Sequence, residues 1–126
     1  MKVKDIMYTH LFTIPFDKTV EEAAQLMDKK DIGSLIVEKN GEKVGIITEW
    51  DVVRKVTATG KNPNELTVDE VKSYPLIMVD SNFDILEAAQ LMKRHDIRRL
   101  VVIDKGKIVG ILSANTICNN LASLIT

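Results

Sequence analysis

The sequence predicts an α/β fold of two tandem βαββα repeats packed with pseudo-two-fold symmetry, and three observations predict it. The first is internal repetition. Shifted by 65 positions (22 onto 87), Glu22-Ala23-Ala24-Gln25-Leu26-Met27 falls on Glu87-Ala88-Ala89-Gln90-Leu91-Met92. The same shift carries Asp31-Ile32 onto Asp96-Ile97 and Val44-Gly45-Ile46 onto Val109-Gly110-Ile111 without a gap. The second is that apolar spacing switches between helical and strand periods in the same order within each copy. The third is size: 126 residues with 45% hydrophobic and 28% charged content suit one compact globular module. One copy of about sixty residues would be marginal alone, whereas two can bury their sheet faces in a shared core. The copies are expected at 1–62 and 63–126.

In chain order, Val3-Lys4-Asp5-Ile6-Met7 is a short lead-in, and Leu11-Phe12-Thr13-Ile14 reads as an extended segment stopped by Pro15. Thr19-Val20-Glu21-Glu22 is a capping box, and Val20, Ala23, Ala24 and Met27 recur at helical spacing as one apolar stripe. Asp28 to Asp31 is the wet end of that helix. Residues 34–38 form a strand, Asn40-Gly41 a hairpin turn, and residues 43–48 the antiparallel partner. A second helix is expected over 49–59. Residues 57–64, with Gly60 and Pro63, are the linker, after which the order begins again.

Composition excludes several function classes. A formal net charge of −1 offers no general attraction to nucleic acid or an anionic membrane, and aromatic residues are 5% of the chain with no stacking platform among the basic ones. Nucleic acid is therefore not an expected partner. Cys118 is the single cysteine, so no internal disulfide can form, and its apolar helical setting predicts buried packing. No Cys/His cluster has zinc-ligand spacing, so no metal site is expected. His10 and His95 have no nucleophile or acidic partner in any motif, which leaves no catalytic residue and predicts a non-enzyme. Met27 and Met92 occupy matching core positions. The amino terminus lacks a signal-peptide stretch and no run reaches membrane-span length, so the expected compartment is the cytoplasm.

The stretch that carries chemistry is Gly45-Ile46-Ile47-Thr48-Glu49-Trp50-Asp51. Its β-branched run ends at a hydroxyl where helical composition begins, so Thr48 and Asp51 lie at a strand-to-helix junction. Two readings stay open there. Thr48 and Asp51 fit an ordinary helix N-cap, and they equally fit a ligand site, since the first helical turn offers unpaired N–H groups to an anion.

A tandem pair of βαββα units with the closing motif Gly-apolar-apolar-Ser/Thr-x-x-Asp, complete in the first copy, resembles the paired cystathionine-β-synthase (CBS) domains known as a Bateman module. The likeness covers essentially the whole chain. It implies a regulatory sensor without catalysis or a catalytic cofactor. The implied ligand contains adenosine, such as AMP, ADP, ATP, S-adenosylmethionine or NAD, and binds in a cleft between the repeats, with an unidentified effector protein responding to it. The resemblance assigns the ribose hydroxyls to the Asp51 carboxylate and the phosphates to Thr48. An ionised carboxylate is acceptor-only and can take two vicinal hydroxyl donors at once. The adenine wall is expected from Ile36, Ile47 and the second lead-in, Tyr74-Pro75-Leu76-Ile77.

The second repeat departs from the pattern: Gly110-Ile111-Leu112-Ser113-Ala114-Asn115-Thr116 keeps glycine and hydroxyl but puts Thr116 in place of the carboxylate. Ser113 and Asn115 remain as polar contacts there. Arg98 and Arg99, where the first repeat has Gly33 and Ser34, occupy positions where the family often places phosphate-binding side chains. A homodimer is expected through helices 49–59 and 114–125, carrying Trp50, Val52, Val53, Val56 and Ile117, Leu121, Leu124, Ile125. The alternative is a structural or protein-interaction module that binds no nucleotide.

Overall fold

The chain forms two compact units, one comprising Phe12–Leu76 and the other Met1–Leu11 together with everything from Ile77 on. The computed structural model describes residues 1–125, and the side chains of residues 1–123. These units divide the chain differently from the sequence repeats at 1–62 and 63–126. The reason is pairing between distant segments: each repeat's lead-in joins the sheet of the other repeat.

In the first unit, β1 (Thr13–Pro15) runs parallel to β2 (Ser34–Lys39), which pairs antiparallel with β3 (Glu42–Thr48). β1 starts at Thr13 rather than Leu11 and includes Pro15 as its last residue rather than stopping before it, as a short edge strand permits. Asn40 and Gly41 turn the hairpin with φ of 53° and 81°, the positive pair that a two-residue turn requires. Helix α1 (Val20–Lys30) is capped by the Thr19 hydroxyl, which accepts from the Glu22 N–H, and it buries Val20, Ala23 and Met27. α2 (Glu49–Asp51) continues as a wider π-helical stretch, Val52–Thr57, and ends short of the expected residue 59.

Strand alternation sorts the sheet into two faces. Leu35 pairs with Ile47, and both join Val37, Val20, Met27 and Val56 in the core against the helices. Ser34 pairs with Thr48 and Ile36 with Ile46, which places these four residues on the opposite face.

The second unit repeats this plan with β4 (Met78–Asp80), α4 (Ile85–His95), β5 (Arg99–Asp104) and β6 (Lys107–Ser113). Leu100 and Leu112 face the core, while Arg99, Val101, Ile111 and Ser113 lie on the other face. The single helix expected over 114–125 is broken. α5 (Ala114–Asn119) stops at Asn120, whose Nδ2 donates to the Thr116 carbonyl at 2.8 Å, and α6 (Leu121–Ile125) follows. α5 turns Thr116 and Ile117 inward, so the next residue round, Cys118, is exposed rather than buried as expected.

The lead-ins complete both units in the same way. α3 (Val68–Val71) inserts Val68 and Val71 into the first core, and Val3 enters the second. Beyond them, Ser73 exchanges backbone hydrogen bonds with Ile46 at 2.7 and 3.1 Å, as Tyr8 does with Ile111 at 2.9 Å each way. Among the described residues, no helix is long and apolar enough to cross a membrane.

Candidate functional site

In the first unit, β3 delivers Thr48 in extended conformation to the start of α2, where its side chain and that of Asp51 cap each other reciprocally. The Asp51 N–H donates to Thr48 Oγ1 at 3.1 Å, and the Thr48 N–H donates to Asp51 Oδ2 at 2.9 Å. The Thr48 hydroxyl also lies 3.1 Å from Oδ2. The capping reading is therefore realised in full.

The other carboxylate oxygen does work that capping does not require. Asp51 is only 6% exposed. Its Oδ1 accepts from the Ser73 hydroxyl at 2.7 Å and from Lys55 Nζ at 3.0 Å. Lys55 reaches it from one helical turn ahead and also donates to the Val71 carbonyl at 2.9 Å. The buried charge is thus paired and hydrogen-bonded, as burial demands. Neither partner was singled out from sequence. Ser73 arrives from 22 positions away through its pairing with Ile46, so no local signal could have found it, whereas the i,i+4 spacing of Asp51 and Lys55 was legible.

Tyr74 and Pro75 directly follow Ser73, so the structure does bring the second lead-in beside Asp51. Tyr74 is 71% exposed, with Lys72 Nζ 4.9 Å from its ring centre, Pro75 is exposed, and Leu76 is half-buried. The expected pairing of Ile36 with Ile47 in one wall does not occur. Ile47 points into the core, and the residue that shares Ile36's face is Ile46. The period-2 alternation of a strand imposes that correction.

In the second unit the equivalent junction is neutral. Ser113 Oγ accepts from the Thr116 N–H at 3.1 Å and lies 2.9 Å from the Thr116 hydroxyl, both residues being buried. Tyr8 stands where the first unit has Ser73, and Asn120 where it has Lys55, by the same shift of 65 (8 to 73, 55 to 120). The carboxylate and both of its side-chain partners are replaced together. Arg99 pairs with Ser113 in the sheet register and shares its face, while Arg98 is exposed and its carbonyl accepts from the Ala114 N–H at 2.8 Å. Asn115 is exposed. Asp51 and the two arginines belong to different units. Among the described residues no group of three or more His, Cys, Asp or Glu gathers in a way that could hold a metal ion.

Comparison with known proteins agrees with this architecture. The family model described as CBS domain matches twice, over residues 3–58 and 68–123. The CBS domain-containing protein YhcV of Bacillus subtilis is 35% identical over 121 residues, spanning 96% of this chain and 86% of that protein. A protein with CBS domains from Burkholderia ambifaria superposes with a TM-score of 0.91 at 27% identity, covering 98% of this chain and 95% of that one. The hexameric CBS-CP12 protein from bloom-forming cyanobacteria gives 0.90 at 32% identity, over 100% of this chain and 75% of that one.

Proposed function

Because the chain belongs to the CBS-domain family as a tandem regulatory module, we propose that it senses an adenosine-containing ligand and has no catalytic activity of its own. The ligand is a nucleotide of the AMP, ADP or ATP kind, S-adenosylmethionine or NAD, held at the Thr48–Asp51 junction. One observation carries the reading: the buried Asp51 carboxylate already has a hydroxyl on each oxygen, Ser73 on Oδ1 and Thr48 on Oδ2. Hydroxyls are the donors that a ribose presents as a vicinal pair. Exposed Tyr74 and Pro75 beside it supply an apolar surface for the base. The module works in the cytoplasm on an effector protein, and it self-associates as a homodimer through the helices that follow the two junctions.

A second reading is favoured by the completeness of the same network. With Asp51 satisfied within its own chain, the module could be a structural or protein-interaction element that binds no nucleotide. A thermal-shift panel of adenosine, AMP, ATP, S-adenosylmethionine, NAD and a single-stranded oligonucleotide separates the two. A ligand at a hundred times its Kd adds about 2.7 kcal/mol of stability. A rise with an adenine compound supports the sensor, and no rise with any of them supports the interaction module.

A further inference from the structure

The Asp51 carboxylate is full. An ionised carboxylate offers about four acceptor positions, and four donors already occupy it: the Thr48 N–H and hydroxyl on Oδ2, and the Ser73 hydroxyl and Lys55 Nζ on Oδ1. The two on Oδ2 belong to the cap and are tied to the backbone turn. The two on Oδ1 are side-chain tips: the Ser73 hydroxyl can rotate away while Ser73 stays paired to Ile46 through its own N–H and C=O, and Lys55 Nζ keeps the Val71 carbonyl as an alternative acceptor at 2.9 Å. A ligand diol can reach the carboxylate only by replacing them.

We infer that Ser73 and Lys55 are affinity-determining residues of this site, which hold Oδ1 in the unliganded protein and yield it to a ligand's hydroxyls. This rests on the reading of Asp51 as the ribose anchor. The second unit supports a dedicated role, since Tyr8 and Asn120 replace both residues where the carboxylate itself is replaced by Thr116.

An interaction present in the free protein and broken in the complex has opposite effects on stability and on binding when it is deleted. Ser73→Ala should therefore lower the melting temperature of the unliganded protein while binding adenosine about two- to tenfold tighter. Lys55→Met should tighten adenosine in the same direction, and in an Asp51→Ala background neither change should alter adenosine binding. Titration calorimetry with adenosine and thermal melts of each variant give both readouts. If wild type binds adenosine and loses it in Asp51→Ala, but Ser73→Ala and Lys55→Met bind equally or more weakly, the competition is refuted and the ribose anchor stands. If wild type fails to bind adenosine, or Asp51→Ala binds it unchanged, the anchor falls and the competition falls with it.

Discussion

Gly45 lies directly beneath Ser73: a Cβ at position 45 would come 2.8 Å from the Ser73 carbonyl oxygen and 2.7 Å from the Lys72 side chain. Gly110 stands in the same relation to Tyr8, whose carbonyl oxygen would be 2.5 Å from a Cβ there. The motif glycine is thus explained by the passage of the exchanged lead-in over the strand. Gly45→Ala and Gly110→Ala should each cost about 1–3 kcal/mol through overpacking against backbone, measured by urea unfolding. Gly41→Asn is the control. Its φ of 81° is strained for any side chain but tolerated best by asparagine, and nothing lies within 4 Å of an added Cβ, so it should cost about 1 kcal/mol from backbone strain alone.

Most of the fold was legible because each element carries a local signal. The Thr19 N-cap starts α1, the Asn40-Gly41 turn sets the hairpin, and the repeat supplies the second copy of each element. What was not legible depends on contacts between distant segments. Nothing near Ser73 indicates that it pairs with Ile46 and donates to Asp51, and the exchange of lead-ins is invisible to periodicity. The misplacement of Ile47 has another origin: in a run where Ile46 and Ile47 are adjacent and alike, composition does not say which residue points into the core, and only the register with β2 decides it.

Asp69 and Lys72 give the pH dependence a local handle. The hydrogen bond from Lys72, 2.8 Å from Asp69 Oδ1, holds the Asp69 carboxyl below its ordinary value of 3.8 against an opposing effect of burial. A depressed carboxylate contributes stability that is complete above its unfolded value and is lost as the pH falls through its folded value. Asp69→Asn should therefore be slightly less stable than wild type at neutral pH, and the difference should shrink as the pH drops below about 4. Urea unfolding of both proteins across that range checks it, and a difference that grows on acidification would reverse the sign assigned here.

Self-association should involve the exposed apolar side chains beyond the junctions. Val53 and Leu121 are each 47% exposed, and Trp50 is half-buried with the Arg54 guanidinium 4.6 Å over its ring. Val56 and Ile117, expected on the same surface, are buried within their own units, and the side chains of Leu124 and Ile125 lie outside the described residues. Sedimentation equilibrium at tens of micromolar should find a dimer that Val53→Asp converts to a folded monomer. A wild-type monomer at that concentration would contradict the proposal, and a higher assembly would correct its stoichiometry.

Loss of the carboxylate in the second unit should make the two junctions unequal. Thr116 can pair with one ribose hydroxyl but cannot hold two as an anion can. Arg98 and Arg99 can restore affinity for a charged phosphate by bidentate contacts. ATP binding should therefore weaken in Arg98→Ala, whereas adenosine binding should not. Parallel titrations of the two ligands test this, and an equal loss for both would remove the arginines from phosphate recognition.

The most direct test of the sensor reading is calorimetric titration of adenosine into wild type and Asp51→Ala, with circular dichroism confirming that the variant is folded at the titration temperature. That check is needed because removing Asp51 also removes half of the Thr48 capping box and leaves the Ser73 hydroxyl and Lys55 Nζ without their carboxylate, at about 1–3 kcal/mol. The expected result is one site per chain in wild type, weakened about ten- to a hundredfold in Asp51→Ala by loss of charge-assisted hydrogen bonds. Two equal adenosine sites, or a site that persists unchanged in folded Asp51→Ala, would contradict the assignment of Asp51 as the ribose anchor.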